Sequence, residues 1–192
     1  MAAQDVADKR RLLIDAAVRL FARKGYHACR VSDIAAEAGV AHGLLYHYFA
    51  SKEEVLRTVV SESWGEFTEA LQRVERQDVP AREQLRLVVD LVLGGWRDVP
   101  DLIRVLLREF AVDPQLKQES DQAVASVERI VRRGQERGEF RRDLDARFAG
   151  LVVYGALEEV LAGWADARVA EDVERAQDTV AQLLCDGLVE AA

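Results

Sequence analysis

Apolar side chains recur every three to four residues along most of the chain, which is the spacing of one face of an α-helix. The first such stripe covers residues 12–21 and is closed by Gly25, a residue type that often follows the end of a helix. The same period returns in six later segments: 52–77, 81–97, 100–111, 115–137, 145–166 and 170–190. Prolines and short polar runs separate these segments, and no stretch alternates as a strand does. The pattern predicts an all-α protein.

A tighter pattern occupies residues 31–48. Two short helices that cross closely need a small residue at the contact, a residue that tolerates positive φ in the turn, and inward apolar side chains. Ala35 is the small residue and Gly39 the turn residue. The inward set is Ile34, Ala38, Val40 and Leu45. Helices of about two turns are unstable alone and must pack on their neighbours. We predict a helix-turn-helix, with an αα-corner inside a helical bundle as the alternative.

The second of these helices carries side chains that can contact DNA. His42, Tyr46 and His47 can donate to phosphate oxygens or base edges, and Gly43 lets the backbone approach a groove. The five-residue spacing of His42 and His47 does not place them on one helical face, so it does not favour a metal site. Tyr48 is expected to pack inward with its neighbour Phe49.

The next helix begins with a second anion-binding feature. Ser51 is a suitable N-cap, so the helix that it starts would aim its N-terminus and the ammonium of Lys52 at one phosphate.

Composition bears on compartment and partners. The 192 residues are 49% hydrophobic and 31% charged. The chain has no run of about 18 apolar residues, which is the length needed to span a bilayer. Residues 1–11 lack the apolar core of a secretion signal, and Cys29 and Cys185 lie too far apart to suggest a disulfide framework. We therefore expect a cytoplasmic protein without a membrane partner.

The charge is divided unevenly between two parts of the chain. The formal net charge of −8 argues by itself against a nucleic-acid partner. Residues 1–57, however, hold nine Lys and Arg against seven Asp and Glu, while residues 58–192 hold 17 against 27. Because local basic contacts set phosphate affinity, the acidity of the second part does not exclude DNA binding by the first.

Residues 9–57 closely resemble the DNA-binding domain of TetR-family transcriptional regulators, most plainly from Ile34 to Glu53. The resemblance implies nine or ten helices in two domains: a three-helix DNA-binding domain with the helix-turn-helix over 1–57, and an effector-binding and dimerisation domain over 58–192. It also implies the DNA contacts. His42, Gly43 and Leu44 would lie over base edges, Tyr46 and His47 would contact phosphates and bases, Lys52 would clamp a phosphate, and Arg30 and Ser32 would add contacts.

Two neighbouring positions depart from the family pattern. Cys29 and Arg30 stand where many members carry Thr or Ser, which removes a usual capping hydroxyl from the first helix of the motif.

The resemblance further implies a homodimer formed by the last two long helices, which suits a palindromic operator of double-stranded DNA. Segments 130–145 and 154–164 look like the fatty-acid-metabolism branch of the family, which responds to long-chain acyl-CoA. The candidate effector-binding residues are Trp96, Arg104, Leu107, Arg108, Phe110, Leu151, Tyr154 and Trp164. Arg104 and Arg108 are one turn apart and could face one anion together, or could form a solvated face paired with Asp101 and Glu109.

We predict a ligand-responsive repressor, without cofactor or metal, released from its operator by a small hydrophobic effector or an acyl-CoA. A regulator of the same family that responds to a bulky drug or another metabolite is the alternative, and a helical protein-interaction adaptor is a more distant one. An enzyme is not expected, because His27, His42 and His47 all lie in the DNA-binding part, which leaves the effector domain without a histidine base.

Overall fold

Helices form all the regular structure in the described part of the chain, which comprises residues 2–109, 114–169 and 171–189 of a computed structural model. Their bounds are α1 (Ala2–Lys24), α2 (Val31–Glu37), α3 (His42–Tyr48), α4 (Lys52–Glu75), α5 (Ala81–Asp98), α6 (Pro100–Glu109), α7 (Pro114–Glu136), α8 (Ala146–Ala165) and α9 (Val173–Leu188). The all-α prediction is confirmed. The first helix begins well before its apolar stripe and ends at Lys24, immediately before Gly25, as expected; the φ of Gly25 is +79°.

The first three helices share one core with the start of α4. The turn between α2 and α3 depends on Gly39, whose φ of +68° is strained for any residue with a side chain. The Val40 N–H then donates to the Ala35 carbonyl at 3.0 Å and closes the turn. Val40 is half-buried. The buried cluster contains Leu13, Ala16, Ala17, Leu20, Phe21, Cys29, Ile34, Leu45, Phe49 and Val55.

Helix α4 runs without interruption from the first core into the second. Val55 near its start belongs to the N-terminal cluster, whereas Leu71 and Val74 near its end belong to the core of the remaining helices. The domain boundary that we place between residues 57 and 58 therefore falls inside one continuous helix, with no flexible linker. Such a helix can carry a movement from one unit to the other.

The second core lies among α5, α7, α8 and α9. Its largest members are Trp96 and Trp164, whose ring centroids are 5.7 Å apart. Helix α9 is tied to α5 by exposed ion pairs, including Arg82–Asp186 and Arg86–Asp178, both at 2.8 Å. By length and composition alone α8 could cross a membrane, although 39% of its most apolar window is buried inside the fold.

Candidate nucleic-acid interface and effector cavity

Helix α3 is anchored by one side chain and presents the others outward. Leu45 is completely buried in the N-terminal core, and Leu44 is half-buried beside it. His42, Tyr46 and His47 are exposed, with 53% of Tyr46 accessible. The rings of His42 and Tyr46 meet edge to face with their centroids 5.4 Å apart. The outer face of α3 is therefore a surface of aromatic hydrogen-bonding groups.

Packing within the described part of the chain does not require a glycine at position 43. A Cβ placed there would meet no atom within 4 Å, and its φ is not in the left-handed region. A glycine that packing does not need fits a position where an outside partner comes close to the backbone.

Two further predicted contacts flank the start of α2, where Arg30 and Ser32 are both exposed. Arg30 is the N-cap residue, and its side chain makes no capping hydrogen bond. The Asp33 carboxylate reaches back instead and accepts from the Arg30 N–H at 3.2 Å. An acid inside the helix thus satisfies the N–H of the N-cap residue itself, and the Arg30 side chain stays exposed to solvent.

Lys52 has a structural role that its sequence position did not reveal. Its ammonium donates to the carbonyls of Tyr26 and Cys29, both at 2.9 Å, and lies 4.1 Å from the centroid of the Tyr26 ring. Two of the three N–H donors of a lysine are thereby used to hold the α1–α2 loop against the start of α4. The predicted contact of Lys52 with a DNA phosphate stays a prediction, and it would use the third N–H donor.

A carboxylate fixes α2 to α1. Glu37 accepts from Arg23 at 2.7 Å and from Arg19 at 3.5 Å. The hydrogen bond from Arg23 holds the pKa of Glu37 below its ordinary value. These contacts orient the helix-turn-helix on α1.

An apolar cavity of about 330 Å³ lies between α4, α5, α6, α7 and α8. Its wall on α4, which includes Trp64, Phe67 and Leu71, was absent from the predicted effector residues. The apolar spacing of segment 52–77 predicts that this face of the helix is buried. The same spacing is expected for a cavity wall and for a solid core, so it did not identify these residues as cavity lining. The remaining apolar lining comes from Ala70, Val88, Leu91, Val92, Gly95, Val99, Leu102, Ile103, Leu106, Leu107, Ala123, Val127, Leu157 and Leu161.

Four polar side chains also line this cavity: Ser63, Glu66, Tyr154 and Glu158. Ser63 donates to the Val59 carbonyl at 2.7 Å. Burial, reinforced by the charge of Glu158, raises the pKa of Tyr154 to about 12, so this phenol stays protonated at neutral pH. Burial also raises the pKa of Glu158.

The predicted effector residues do not all meet at this cavity. Leu107 and Tyr154 line it. Trp96 and Trp164 pack against each other in the core, and Leu151 lies exposed on the outer face of α8, so these three do not form its wall. Phe110 lies outside the described residues.

The two predicted arginines contact different partners and do not face one anion together. Arg104 lies over the Trp96 ring, 4.7 Å from its centroid, and pairs with Asp101 at 3.1 Å and with Glu171 at 3.5 Å. Arg108 donates to the Ala22 carbonyl of α1 at 3.2 Å. Neither guanidinium lines the cavity, because both are engaged on the outer sides of α6.

Helix α6 joins the cavity to the DNA-binding unit. Ile103 and Leu106 form part of the cavity wall, whereas Val105, which is only 1% exposed, belongs to the N-terminal core cluster. Together with the Arg108 contact to α1, Val105 attaches one side of α6 to the helices that carry the helix-turn-helix. Helix α6 thus contacts both the cavity and the helices that carry the helix-turn-helix.

A groove with several charged residues in its lining adjoins the cavity at the junction of the two units. Its volume is about 650 Å³, and it lies between α1, α4 and the start of α6. Ser63, Glu66, Val99 and Leu102 line both spaces, so the groove and the cavity are neighbours with a common wall. Other groove residues are Arg10, Arg11, Asp15, Arg19, Glu62, Asp98 and Asp101.

The outer face of α8 and α9 is apolar and exposed. Phe148 and Val152 on α8 and Leu183 on α9 are 69%, 63% and 69% accessible. Gly155 on the same face has open space beyond its backbone. An exposed apolar patch of this kind marks a surface of contact with a partner.

A helix-turn-helix with a polar outer helix, joined by α4 and α6 to a helical domain with an apolar cavity, defines a ligand-responsive DNA-binding regulator. Residues 13–59 match the family of "Bacterial regulatory proteins, tetR family", and residues 78–188 match "Tetracyclin repressor-like, C-terminal domain". The chain belongs to the TetR family of transcriptional regulators.

Relatives in this family include regulators of fatty acid metabolism. The Fatty acid metabolism regulator protein of Bacillus subtilis is 30% identical over 92% of this chain and 93% of that protein. The crystal structure of FadR from Bacillus subtilis in complex with stearoyl-CoA superposes with a TM-score of 0.79 at 30% identity, covering 93% of this chain and 98% of that one. FadR from Bacillus halodurans gives a TM-score of 0.79 at 30% identity over 92% and 94% of the two chains.

Proposed function

We propose that this chain is a homodimeric repressor that binds a palindromic operator through α3 and leaves it when a long-chain acyl-CoA binds. The observation that carries the proposal is the double role of α6, which forms one wall of the apolar cavity and is anchored in the DNA-binding unit through Val105 and Arg108. The similarity to FadR, whose structure holds stearoyl-CoA, supports this choice of effector.

The dimer is inferred from the exposed apolar face of α8 and α9. Phe148, Val152 and Leu183 can bury their side chains against the same face of a second copy, as in a two-fold symmetric four-helix contact. Two copies related by a two-fold axis would present two α3 helices to successive major grooves, about 34–36 Å apart or a multiple of that distance.

The DNA contacts follow from the exposed face of α3. His42, Gly43 and Leu44 would approach base edges, and Tyr46 and His47 would donate to bases and phosphates. Arg30, Ser32 and Lys52 would add contacts from the starts of α2 and α4. Because residues 1–57 carry only two more basic than acidic residues, non-specific affinity for DNA should be weak.

The cavity would hold one part of the effector and the groove the other. At about 330 Å³ the cavity is at the lower end of the usual range for ligand pockets, so it suits the acyl chain but not the whole acyl-CoA. The larger polar part would continue past the common wall into the groove, beside Arg10 and Arg11 of α1. Arg10 pairs there with Glu62 of α4 at 2.7 Å, so a phosphate that takes this arginine would loosen a tie between the units.

Release of DNA then follows from linkage. An effector that binds better to a conformation with the two α3 helices wrongly spaced must weaken operator binding by its differential affinity for that conformation. The role requires no catalysis, and a regulator of bacterial genes acts in the cytoplasm, where chromosomal DNA is found.

The test begins with an operator selected by the purified protein from a random duplex library. Stearoyl-CoA is then titrated into the labelled complex while fluorescence anisotropy is followed, with CoA and an equal concentration of detergent as controls. We expect release by stearoyl-CoA and not by CoA. Selection of no duplex would contradict the role of a DNA-binding regulator, and retention of the operator at saturating stearoyl-CoA would contradict the effector.

A further inference from the structure

The aromatic ring of Tyr26, in the loop between α1 and α2, lies against the ammonium of Lys52. The Lys52 Nζ is 4.1 Å from the ring centroid, well within the distance of about 6 Å at which an aromatic face attracts a cation. The same nitrogen donates to the Tyr26 and Cys29 carbonyls, both at 2.9 Å. A ring and two carbonyls therefore fix the position of this ammonium.

The Tyr26 ring is itself held on two sides. Its hydroxyl donates to the Glu53 carboxylate at 2.9 Å, and its ring meets the buried Phe21 ring of α1 edge to face, with the centroids 5.4 Å apart. A backbone hydrogen bond at the start of α4, together with Ser51 and Tyr26, lowers the pKa of Glu53, so this carboxylate is ionised at neutral pH. Tyr26 thus joins the α1 core to two successive charged residues in the first turn of α4.

A fixed ammonium is an advantage for a lysine that has to bind a phosphate. Ordering a long, flexible side chain on binding costs conformational entropy, and a side chain that is already ordered avoids this cost. The two carbonyls use two of the three N–H donors of Lys52, which leaves one for a phosphate. Lys52 is half-buried, so part of its side chain is accessible.

We propose that Tyr26 is a positioning residue for operator binding, which acts through Lys52 by holding its ammonium in place for a phosphate of the DNA backbone. This inference rests on the proposed function, in which Lys52 contacts the operator. The contribution of Tyr26 should therefore vanish when Lys52 is replaced. A residue that only stabilises the fold would contribute equally with and without Lys52.

A double-mutant cycle on operator affinity tests this dependence. The Kd of an operator selected from a random duplex library is measured by fluorescence anisotropy for the wild type, Tyr26→Leu, Lys52→Met and Y26L/K52M. Tyr26→Leu should raise the Kd about fivefold, the effect of losing one partly desolvated cation–π contact. Lys52→Met should raise the Kd at least about tenfold. In the Lys52→Met background, Tyr26→Leu should change the Kd by less than about twofold.

The salt dependence of operator binding separates positioning from direct contact. Lys52→Met removes a phosphate contact, so the slope of log affinity against log salt concentration should become shallower by about one. Tyr26→Leu should leave this slope unchanged, because the phosphate contact is still made. Tyr26→Phe keeps the aromatic face and should bind operator within about twofold of the wild-type Kd.

The matched control is Leu13→Val, at a completely buried position about three turns before the end of α1. Any effect of this change on the operator Kd should be equal in the wild-type and Lys52→Met backgrounds. If Tyr26→Leu does not fold, as judged by circular dichroism, Tyr26→Met takes its place in the cycle, since it is also without an aromatic face.

An equal effect of Tyr26→Leu in both backgrounds would overturn the inference, as would an unchanged Kd of Lys52→Met or a shallower salt slope of Tyr26→Leu. Each of these results leaves a protein that binds its operator, so the proposed function would stand. Selection of no duplex at all would contradict the proposed function and this inference together.

Discussion

The attachment of α6 to the DNA-binding unit should carry the effect of the effector on operator affinity. Replacing Val105, which is 1% exposed, by alanine removes two methyl groups and leaves a small void, at a cost of about 2 kcal/mol. Replacing Arg108 by methionine removes its hydrogen bond to the Ala22 carbonyl at 3.2 Å, worth about 1 kcal/mol. Together these changes are as large as a typical allosteric coupling energy of about 1–3 kcal/mol.

The quantity to measure is the ratio of operator Kd values with and without saturating stearoyl-CoA. In the wild-type protein this ratio should lie between about 5 and 150. In V105A/R108M the ratio should fall by about tenfold, because movement of the cavity wall no longer reaches α1. If the wild-type ratio is below about ten, the ratio of the variant should fall to one. Fluorescence anisotropy of a labelled operator gives both Kd values.

The control is Val131→Ala, which removes the same two methyl groups from a fully buried position on α7 that belongs to the second core and does not line the cavity. It should lose similar stability and keep the wild-type ratio. A V105A/R108M variant that keeps the wild-type ratio, or a V131A variant that lowers it as much, would show that the α6 attachment does not transmit the effect of stearoyl-CoA.

Three further predictions concern DNA contact, dimerisation and pH. Tyr46→Ala should weaken operator binding at least about tenfold in a gel-shift titration without lowering thermal stability, because the ring is 53% exposed. Val152→Asp should give a monomer by light scattering with loss of operator binding, since a charge would enter the apolar face of α8. Glu75→Gln should lower the free energy of unfolding in urea by about 2 kcal/mol at pH 7, because Glu75 accepts two hydrogen bonds from Arg129, both at 2.8 Å.

The sign of the pH effect follows from the lowered pKa of Glu75, which is caused chiefly by the hydrogen bond from Arg129. The stabilisation is complete above the ordinary glutamate pKa of about 4.3 and is lost as the pH falls through the lowered pKa of the folded state. The difference between wild type and Glu75→Gln should therefore shrink in acid, and a difference that grows there would contradict this assignment. Unchanged operator affinity of Tyr46→Ala, or a stable dimer of Val152→Asp, would contradict the other two predictions.

The helix-turn-helix could be predicted because its determinants are local. Gly39 has to adopt positive φ, and Leu45 has to face inward, whatever the rest of the chain does. The spacing of these residues within one short segment is itself the evidence. Contacts between segments that are far apart in the chain produce no such local spacing pattern.

The cavity and its coupling to the DNA-binding unit depend on such distant contacts. Arg108 lies one helical turn from Arg104, which suggested one shared anion, yet its partner is the carbonyl of Ala22. The ammonium of Lys52 likewise contacts the carbonyls of a loop formed by residues that precede it by 23 and 26 positions. Every residue has a backbone carbonyl, so residue types do not indicate which carbonyl accepts a hydrogen bond from a distant side chain.

In the proposed mechanism operator and acyl-CoA compete through one conformational equilibrium, so each weakens the binding of the other. The Kd of stearoyl-CoA is measured by calorimetry for the free dimer and for the dimer saturated with operator. Saturation with operator should weaken stearoyl-CoA binding by the same factor by which stearoyl-CoA weakens operator binding. Equal affinity of stearoyl-CoA for the free and the operator-bound dimer would exclude this coupling.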